Sequence, residues 1–103
     1  MKSFVFISIC IALLFGFSSC GKIQSSMDLI CADMAYNQGN FSKAIELYQK
    51  VIADDPQKAE FYWKLGVAYY SAGDKPNARR QVTKLREFEK EKLASDLEHL
   101  IAQ

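Results

Sequence analysis

The ten residues AYNQGNFSKA (35–44) recur 34 residues later as YYSAGDKPNA (69–78). In both copies an apolar, helix-like segment leads into a glycine followed by Asn or Asp, and a second helix-like segment comes after it. A fixed period of about 34 residues with a helix–turn–helix pattern in each unit is typical of a helical repeat array. The matched positions are Tyr36 and Tyr70, Gly39 and Gly73, and Ala44 and Ala78.

The turn residues predict where the helices of the first unit begin and end. We expect the first helix to run from about Ser26 to Gln38 and to stop at Gly39, because glycine tolerates the left-handed conformation of a helix end. Asn40 is a suitable cap for the second helix. The apolar residues of that second helix recur at three-four spacing, and the helix must end before Pro56.

The second unit repeats this organisation. A third helix is predicted from about Lys58 to Ala72, with Gly73 as its stop, and Asp74 is placed to cap a fourth helix. No Gly or Pro follows Pro76, so the end of the fourth helix has no obvious signal. A new apolar stripe follows, formed by Leu93, Leu97, Leu100 and Ile101.

This stripe has two interpretations. The fourth helix either continues as one long helix or gives way to a short fifth helix near residues 91–92. We predict the short terminal helix, because the terminal elements of repeat arrays usually cap the last unit.

With these residues in place, the chain resembles the tetratricopeptide repeat (TPR) family over residues 25–92. Leu65, Gly66 and Tyr69 match the first-helix pattern of that family, and Pro56 matches its terminal proline. Small residues at positions 32, 44, 66 and 78 suit close helix packing. The resemblance implies an all-α fold with two repeats (25–58 and 59–92) and a C-terminal capping helix (93–103).

The resemblance also implies a partner-binding groove on the inner face of the first helices. A second apolar face of the third helix, centred on Val67, lies in this groove opposite its packing stripe and must be covered by something. Either the terminal helix covers it, through residues such as Leu97 and Leu100, or a protein or peptide partner does. The predicted groove residues are Leu29, Asp33, Tyr36, Asn37, Trp63, Val67, Tyr70 and Ser71.

The N-terminal segment reads as a targeting signal. Residues 1–19 combine Lys2 with an apolar run from Phe4 to Phe17, which is shorter than the roughly 20 residues that span a bilayer. Ser18, Ser19 and Cys20 resemble the lipobox of bacterial lipoproteins, in which the cysteine carries acyl chains. Residues 20–25 would then be a lipidated tether. The alternatives are an ordinary secretory signal cleaved near Ser19 and an uncleaved anchor.

Lipidation at Cys20 implies a domain held at a membrane of the bacterial cell envelope, facing the periplasm or the exterior. Two or three acyl chains anchor a protein firmly, since each buried methylene contributes about 0.8 kcal/mol. Gly21 stands where Asp can retain lipoproteins at the inner membrane, so the resemblance favours the outer membrane.

The charge balance argues against nucleic-acid binding. Residues 20–103 hold twelve basic and twelve acidic side chains, which give no overall field to attract a polyanion. The charges are unevenly placed: Asp28 to Glu60 is mainly acidic, and Lys75 to Lys92 is mainly basic. These segments are either solvated helix faces or complementary ends for homo-oligomer formation.

The remaining reactive side chains predict no catalytic, metal or cofactor site. Cys31 is the one cysteine outside residues 1–20, and its place in the repeat predicts a buried packing residue. An intermolecular disulfide through Cys31 is the other reading. His99 is the single histidine and is expected at the surface. Glycine-rich phosphate loops and paired metal ligands are not found.

Two functions fit these features. The first is a membrane-anchored adaptor that binds a protein or peptide in its groove and performs no chemistry. The second is a self-associating structural protein of the envelope, since repeat arrays usually need about three units for stability.

Overall fold

The computed structural model describes residues 26–103 of the chain. The predicted signal peptide, Cys20 and the tether lie outside the described residues. The described part of the first helix, α1, spans residues 26–37. The helices that follow are α2 (Phe41–Asp54), α3 (Ala59–Ser71), α4 (Lys75–Glu87) and α5 (Glu91–Ile101).

Two helix starts carry the predicted side-chain caps. The Asn40 carboxamide oxygen accepts a hydrogen bond from the backbone N–H of Lys43 at the start of α2. Asp74 does the same for the N–H of Asn77 at the start of α4, where Pro76 lies in the first turn. These bonds satisfy backbone donors that the first turn of a helix leaves unpaired.

Three helix ends share one backbone arrangement. Gly39 and Gly73 adopt positive φ angles of 80° and 85°, and Glu89 adopts 59°. After each helix, two backbone N–H groups turn back to carbonyls of the last turn, as in the bonds from Glu89 to Arg86 and from Lys90 to Leu85. This is the Schellman pattern of helix termination. It separates α4 from α5, so the prediction of a short terminal helix is confirmed.

The terminal helix begins near residues 91–92, as predicted, and therefore two residues before the capping segment 93–103. It starts at Glu91, which is 32 residues after the start of α3 rather than 34. The shift places Ala94, Leu97 and Ile101 inside the fold. They occupy the same relative positions as Tyr62, Leu65 and Tyr69 in α3, so α5 packs as the first helix of a further unit.

The apolar side chains form two adjoining clusters. One lies among α1, α2 and α3, and the other among α3, α4 and α5. Ile52 and Tyr69 contact both clusters and join them. The first consists of Ala32, Ala35, Ala44, Leu47, Tyr48, Leu65 and Ala68. The second consists of Tyr62, Ala78, Val82, Leu85, Ala94, Leu97 and Ile101.

Small residues stand where the helices approach most closely, as the sequence predicts. Ala32, Ala44 and Ala78 are completely buried. A Cβ atom on Gly66 would lie 2.5 Å from a methyl carbon of Leu97, so α5 approaches α3 over this glycine. The resulting architecture is an all-α helical repeat array.

The prediction for Cys31 is wrong. The residue is exposed rather than buried, whereas its neighbours Ala32 and Ala35 face the core. In α3 the equivalent residue, Leu65, is buried in the cluster that includes α2. Cys31 lies on the first described helix, and no described helix precedes α1 to cover it. His99 is exposed, as expected.

Candidate partner-binding groove

A polar cluster ties the beginning of the predicted groove together. The Asp33 carboxylate on α1 accepts hydrogen bonds from the Tyr48 hydroxyl on α2 and from the Lys64 ammonium on α3. The Lys64 Nζ lies 3.0 and 3.2 Å from the two carboxylate oxygens. Asp33 therefore serves mainly to connect three helices, although its side chain remains 40% exposed.

The environment of Tyr48 keeps its phenol protonated. Burial raises the pKa of the Tyr48 hydroxyl well above its ordinary value, and the hydrogen bond to the charged Asp33 raises it further. Both effects disfavour a phenolate, which would be poorly solvated and would repel the carboxylate. Tyr48 therefore acts as a fixed hydrogen-bond donor beneath the groove.

A second polar contact lies near the C-terminal ends of α1 and α3. The hydroxyl groups of Tyr36 and Ser71 are 3.0 Å apart. The Tyr36 ring also packs against Phe41, with ring centroids 5.3 Å apart and planes tilted by 58°. Two predicted groove residues are thus brought into direct contact, and both remain partly exposed.

The apolar residues of the groove pack against the second apolar cluster, to which α3, α4 and α5 all contribute. Trp63, Val67 and Tyr70 are half-buried against the cluster that contains Leu97. The Trp63 indole N–H is fully buried and finds no acceptor among residues 26–103. Gly66 lies on this same face of α3, and Leu97 of α5 packs over it. The terminal helix therefore covers part of the face, which was one of the two interpretations left open by the sequence.

The two remaining groove residues differ in accessibility. Leu29 is half-buried against the first apolar cluster, whereas Asn37 is exposed. The accessible part of the groove is thus centred on Asn37 and on the partly exposed Tyr36 and Ser71. This surface offers amide and hydroxyl groups beside an aromatic ring, which suits hydrogen bonding to a peptide or helix.

Sequence reasoning missed Lys64 as part of this site. Lys64 lies on the groove side of α3 and is only 24% exposed because it reaches Asp33. The sequence does contain a signal: Lys64 follows Asp33 by 31 residues, three fewer than the repeat period. This spacing places the two side chains on neighbouring first helices. The pattern of apolar residues does not reveal such a pair, because both of its members are charged.

A separate cleft of about 380 Å³ lies between α4 and α5, and it includes none of the predicted groove residues. Its wall includes Arg79 and Arg86, and Arg86 forms an ion pair with Glu98. Within residues 26–103, no three His, Cys, Asp or Glu side chains are grouped so that they could hold a metal ion. The described helices are also too short or too polar to cross a bilayer.

Comparison with known proteins supports the architecture. The family model of the TPR repeat matches residues 32–73, a range that covers the second half of α1, all of α2 and α3, and the turns between them. The chain is also 39% identical over 65 residues to the motility hub protein FimV of two Pseudomonas aeruginosa strains. The alignment covers 63% of this chain but only 7% of the length of FimV. TPR repeats generally mediate protein–protein interactions.

Proposed function

We propose that this protein is a TPR-type adaptor that binds a protein or peptide partner at the bacterial cell envelope. The observation that carries the proposal is the helical repeat array with its groove surface, on which Asn37, Tyr36 and Ser71 remain accessible between α1 and α3. Among the described residues, no three His, Cys, Asp or Glu side chains are grouped in or near the groove so that they could hold a metal ion. Its likeness to a segment of a motility hub protein is in keeping with a binding role.

Recognition in this groove would be mainly polar at its accessible end. A partner backbone can hydrogen-bond to the Asn37 carboxamide and to the hydroxyl pair of Tyr36 and Ser71. The apolar side chains of Trp63 and Tyr70 are already half-buried, so they support the groove more than they offer free contact area. Substituting them would disturb packing together with binding.

A site-specific photocrosslinker tests the groove without disturbing the core. We expect p-benzoylphenylalanine at Asn37 to form a defined adduct with one envelope protein in living cells, because residue 37 is exposed at the groove. The matched control is Lys50, which is exposed on α2 and is not a groove residue. Adducts at both positions, or at neither, would contradict partner binding in the groove.

The membrane anchor has its own test. If Cys20 carries the acyl chains, Cys20→Ser should abolish metabolic labelling with a fatty acid and leave the precursor uncleaved. Cys31→Ser is the control, and it should retain label and processing, because the proposed lipid lies on Cys20. Wild-type protein recovered from the periplasm or medium without acyl chains would disprove the anchor and leave the groove proposal intact.

A self-associating structural protein is the second candidate. The exposed apolar residues of α1 favour it, since no helix among residues 26–103 covers them. In that case photocrosslinking at residue 37 would yield no adduct with a different protein.

A further inference from the structure

The outer face of α1 carries an uninterrupted apolar stripe. Met27, Ile30 and Met34 are 57%, 59% and 54% exposed, and Cys31 lies exposed among them. These residues follow i, i+3, i+4, i+7 spacing, so they occupy one side of the helix. An exposed, contiguous apolar face of this kind commonly marks an interaction site.

The internal repeat shows what this face does elsewhere in the molecule. The residues one period later than Met27, Cys31 and Met34 are Phe61, Leu65 and Ala68, and all three are buried. Ile30 is the exception, because its equivalent is Lys64, which bonds to Asp33. Leu65 and Ala68 pack in the cluster formed with α2, the helix that precedes α3. The equivalent face of α1 therefore has the position and the chemistry of a helix-packing surface.

We infer that this stripe, defined as Met27, Ile30, Cys31 and Met34, pairs two copies of the chain through antiparallel contact of their α1 helices. A two-fold axis that runs between the two α1 helices, at the level of residues 30 and 31, brings Met27 of one copy against Met34 of the other. The same axis brings Ile30 against Cys31. The stripe is thus complementary to itself, as an isologous interface requires.

The charge distribution agrees with a second copy as the occupant. All four stripe residues are uncharged, so self-pairing brings no like charges together within the contact. The Asp33 carboxylate lies outside the stripe and is held by Lys64. Methionine side chains adapt their shape readily, which suits the pairing of Met27 with Met34.

The size of the contact sets its strength. One face of a single helix buries much less than the about 800 Å² per partner of a standard stable interface. The dimer should therefore be weak in dilute solution and should form where the local concentration is high. This contact uses none of the eight groove residues, so its failure would leave the groove proposal standing.

Cys31 provides a chemical probe of the pairing. Packed helix axes lie about 8–10 Å apart, so the two Cys31 thiols would fall within reach of a short bismaleimide. In cells that produce the full chain at its natural level, this reagent should give a species of twice the monomer mass. Cys31→Ser should remove it, and Cys31→Ser combined with Lys50→Cys should not restore it.

Charge exchange tests the antiparallel register. Met27→Glu and Met34→Lys should each reduce the cross-linked fraction by about tenfold, because each places an unpaired charge in the apolar contact. The double variant should restore cross-linking, since the introduced carboxylate of one copy then meets the introduced ammonium of the other. A parallel pair would bring like charges together and would show no recovery. All three variants keep Cys31, and their helix content by circular dichroism should match wild type.

Cross-linking of the wild-type protein tests the pairing even if a charged variant misfolds. The absence of a Cys31-dependent dimer overturns the inference. So does a Cys31-dependent adduct of any other mass, which would mean that a different chain occupies the stripe. Dimers that persist in both single variants, or a folded double variant without recovery, would exclude the proposed register.

Discussion

At the scale of single residues, the tyrosine under the groove is a buried polar group with a defined partner. Tyr48 is only 3% exposed and donates a hydrogen bond to the Asp33 carboxylate. The same carboxylate forms an ion pair with Lys64. Such a donor fixes the orientation of a carboxylate that is partly open to solvent. Hydrogen bonds to charged groups contribute about 1.5–3 kcal/mol when well buried, and less when the acceptor is partly exposed.

The raised pKa of Tyr48 predicts a loss of stability in alkali. In the unfolded chain this phenol ionises near pH 10, whereas in the folded protein it stays neutral to higher pH. Its contribution is therefore complete below about pH 10 and declines as the pH rises above that value. Denaturant unfolding at pH 8 and at pH 11 measures the effect.

Tyr48→Phe provides the comparison. At pH 8 it should lower the free energy of unfolding by about 1 kcal/mol, because Asp33 loses a hydrogen bond. Between pH 8 and pH 11 it should lose less stability than wild type, since Phe does not titrate. An equal loss in both proteins would show that Tyr48 is not the group responsible. Tyr70→Phe serves as the control, because it removes a half-buried phenol from α3 and leaves the bond between Tyr48 and Asp33 in place.

At the scale of elements, the helix ends decide how the array is divided. Gly39 and Gly73 are readable from the sequence because glycine is the usual residue at a left-handed helix end. Glu89 adopts the same conformation with a side chain present, so the break between α4 and α5 carries no such signal. The tertiary packing of α5 on α3 and α4 must compensate for the backbone strain at this position.

Glu89→Gly should therefore stabilise the protein. A non-glycine residue in the left-handed region costs about 1–2 kcal/mol, and the greater unfolded-state freedom of glycine offsets part of the gain. We expect a net increase of about 0.5–1 kcal/mol in the free energy of unfolding, measured by denaturant titration.

Gly73→Ala is the converse variant for this prediction. No atom lies within 4 Å of a Cβ built on Gly73, so its expected cost of about 1 kcal/mol reflects the backbone alone. If Glu89→Gly were destabilising while Gly73→Ala behaved as expected, side-chain contacts of Glu89 would outweigh its strain.

The sequence predicted the positions of the helices better than the contacts between them. Periodic apolar residues, Asn40 and Asp74 located the helices, because those signals are local to each segment. The burial of Cys31 was predicted wrongly because it depends on a neighbouring helix that the first unit lacks within the described residues. The link between Asp33 and Lys64 was missed because it joins two helices through polar side chains. The function assigned to the groove residues stays a prediction.

At the scale of the whole molecule, the last helix supplies part of the second apolar cluster. The second apolar cluster contains Ala94 and Leu97, which are completely buried, together with Ile101. The ion pairs of Arg86 with Glu91 and Glu98 lie on the exposed surface, where such pairs contribute little. Apolar burial therefore holds α5 in place, and α5 in turn covers one face of α3.

A chain ending at Lys90 should consequently lose most of its cooperative folding. Burial of Leu97 and Ile101 contributes about 1.5–3 kcal/mol each, which is a large part of the about 5–15 kcal/mol that stabilises a typical domain. A milder test is Leu97→Ala, which should lower the free energy of unfolding by about 3 kcal/mol because Leu97 is fully buried. Leu93→Ala is the control and should cost less, because Leu93 is only half-buried. Circular dichroism during denaturant unfolding measures all three. A truncated chain that unfolds as cooperatively as wild type would mean that residues 26–90 suffice for the fold, and that α5 is free to leave the groove.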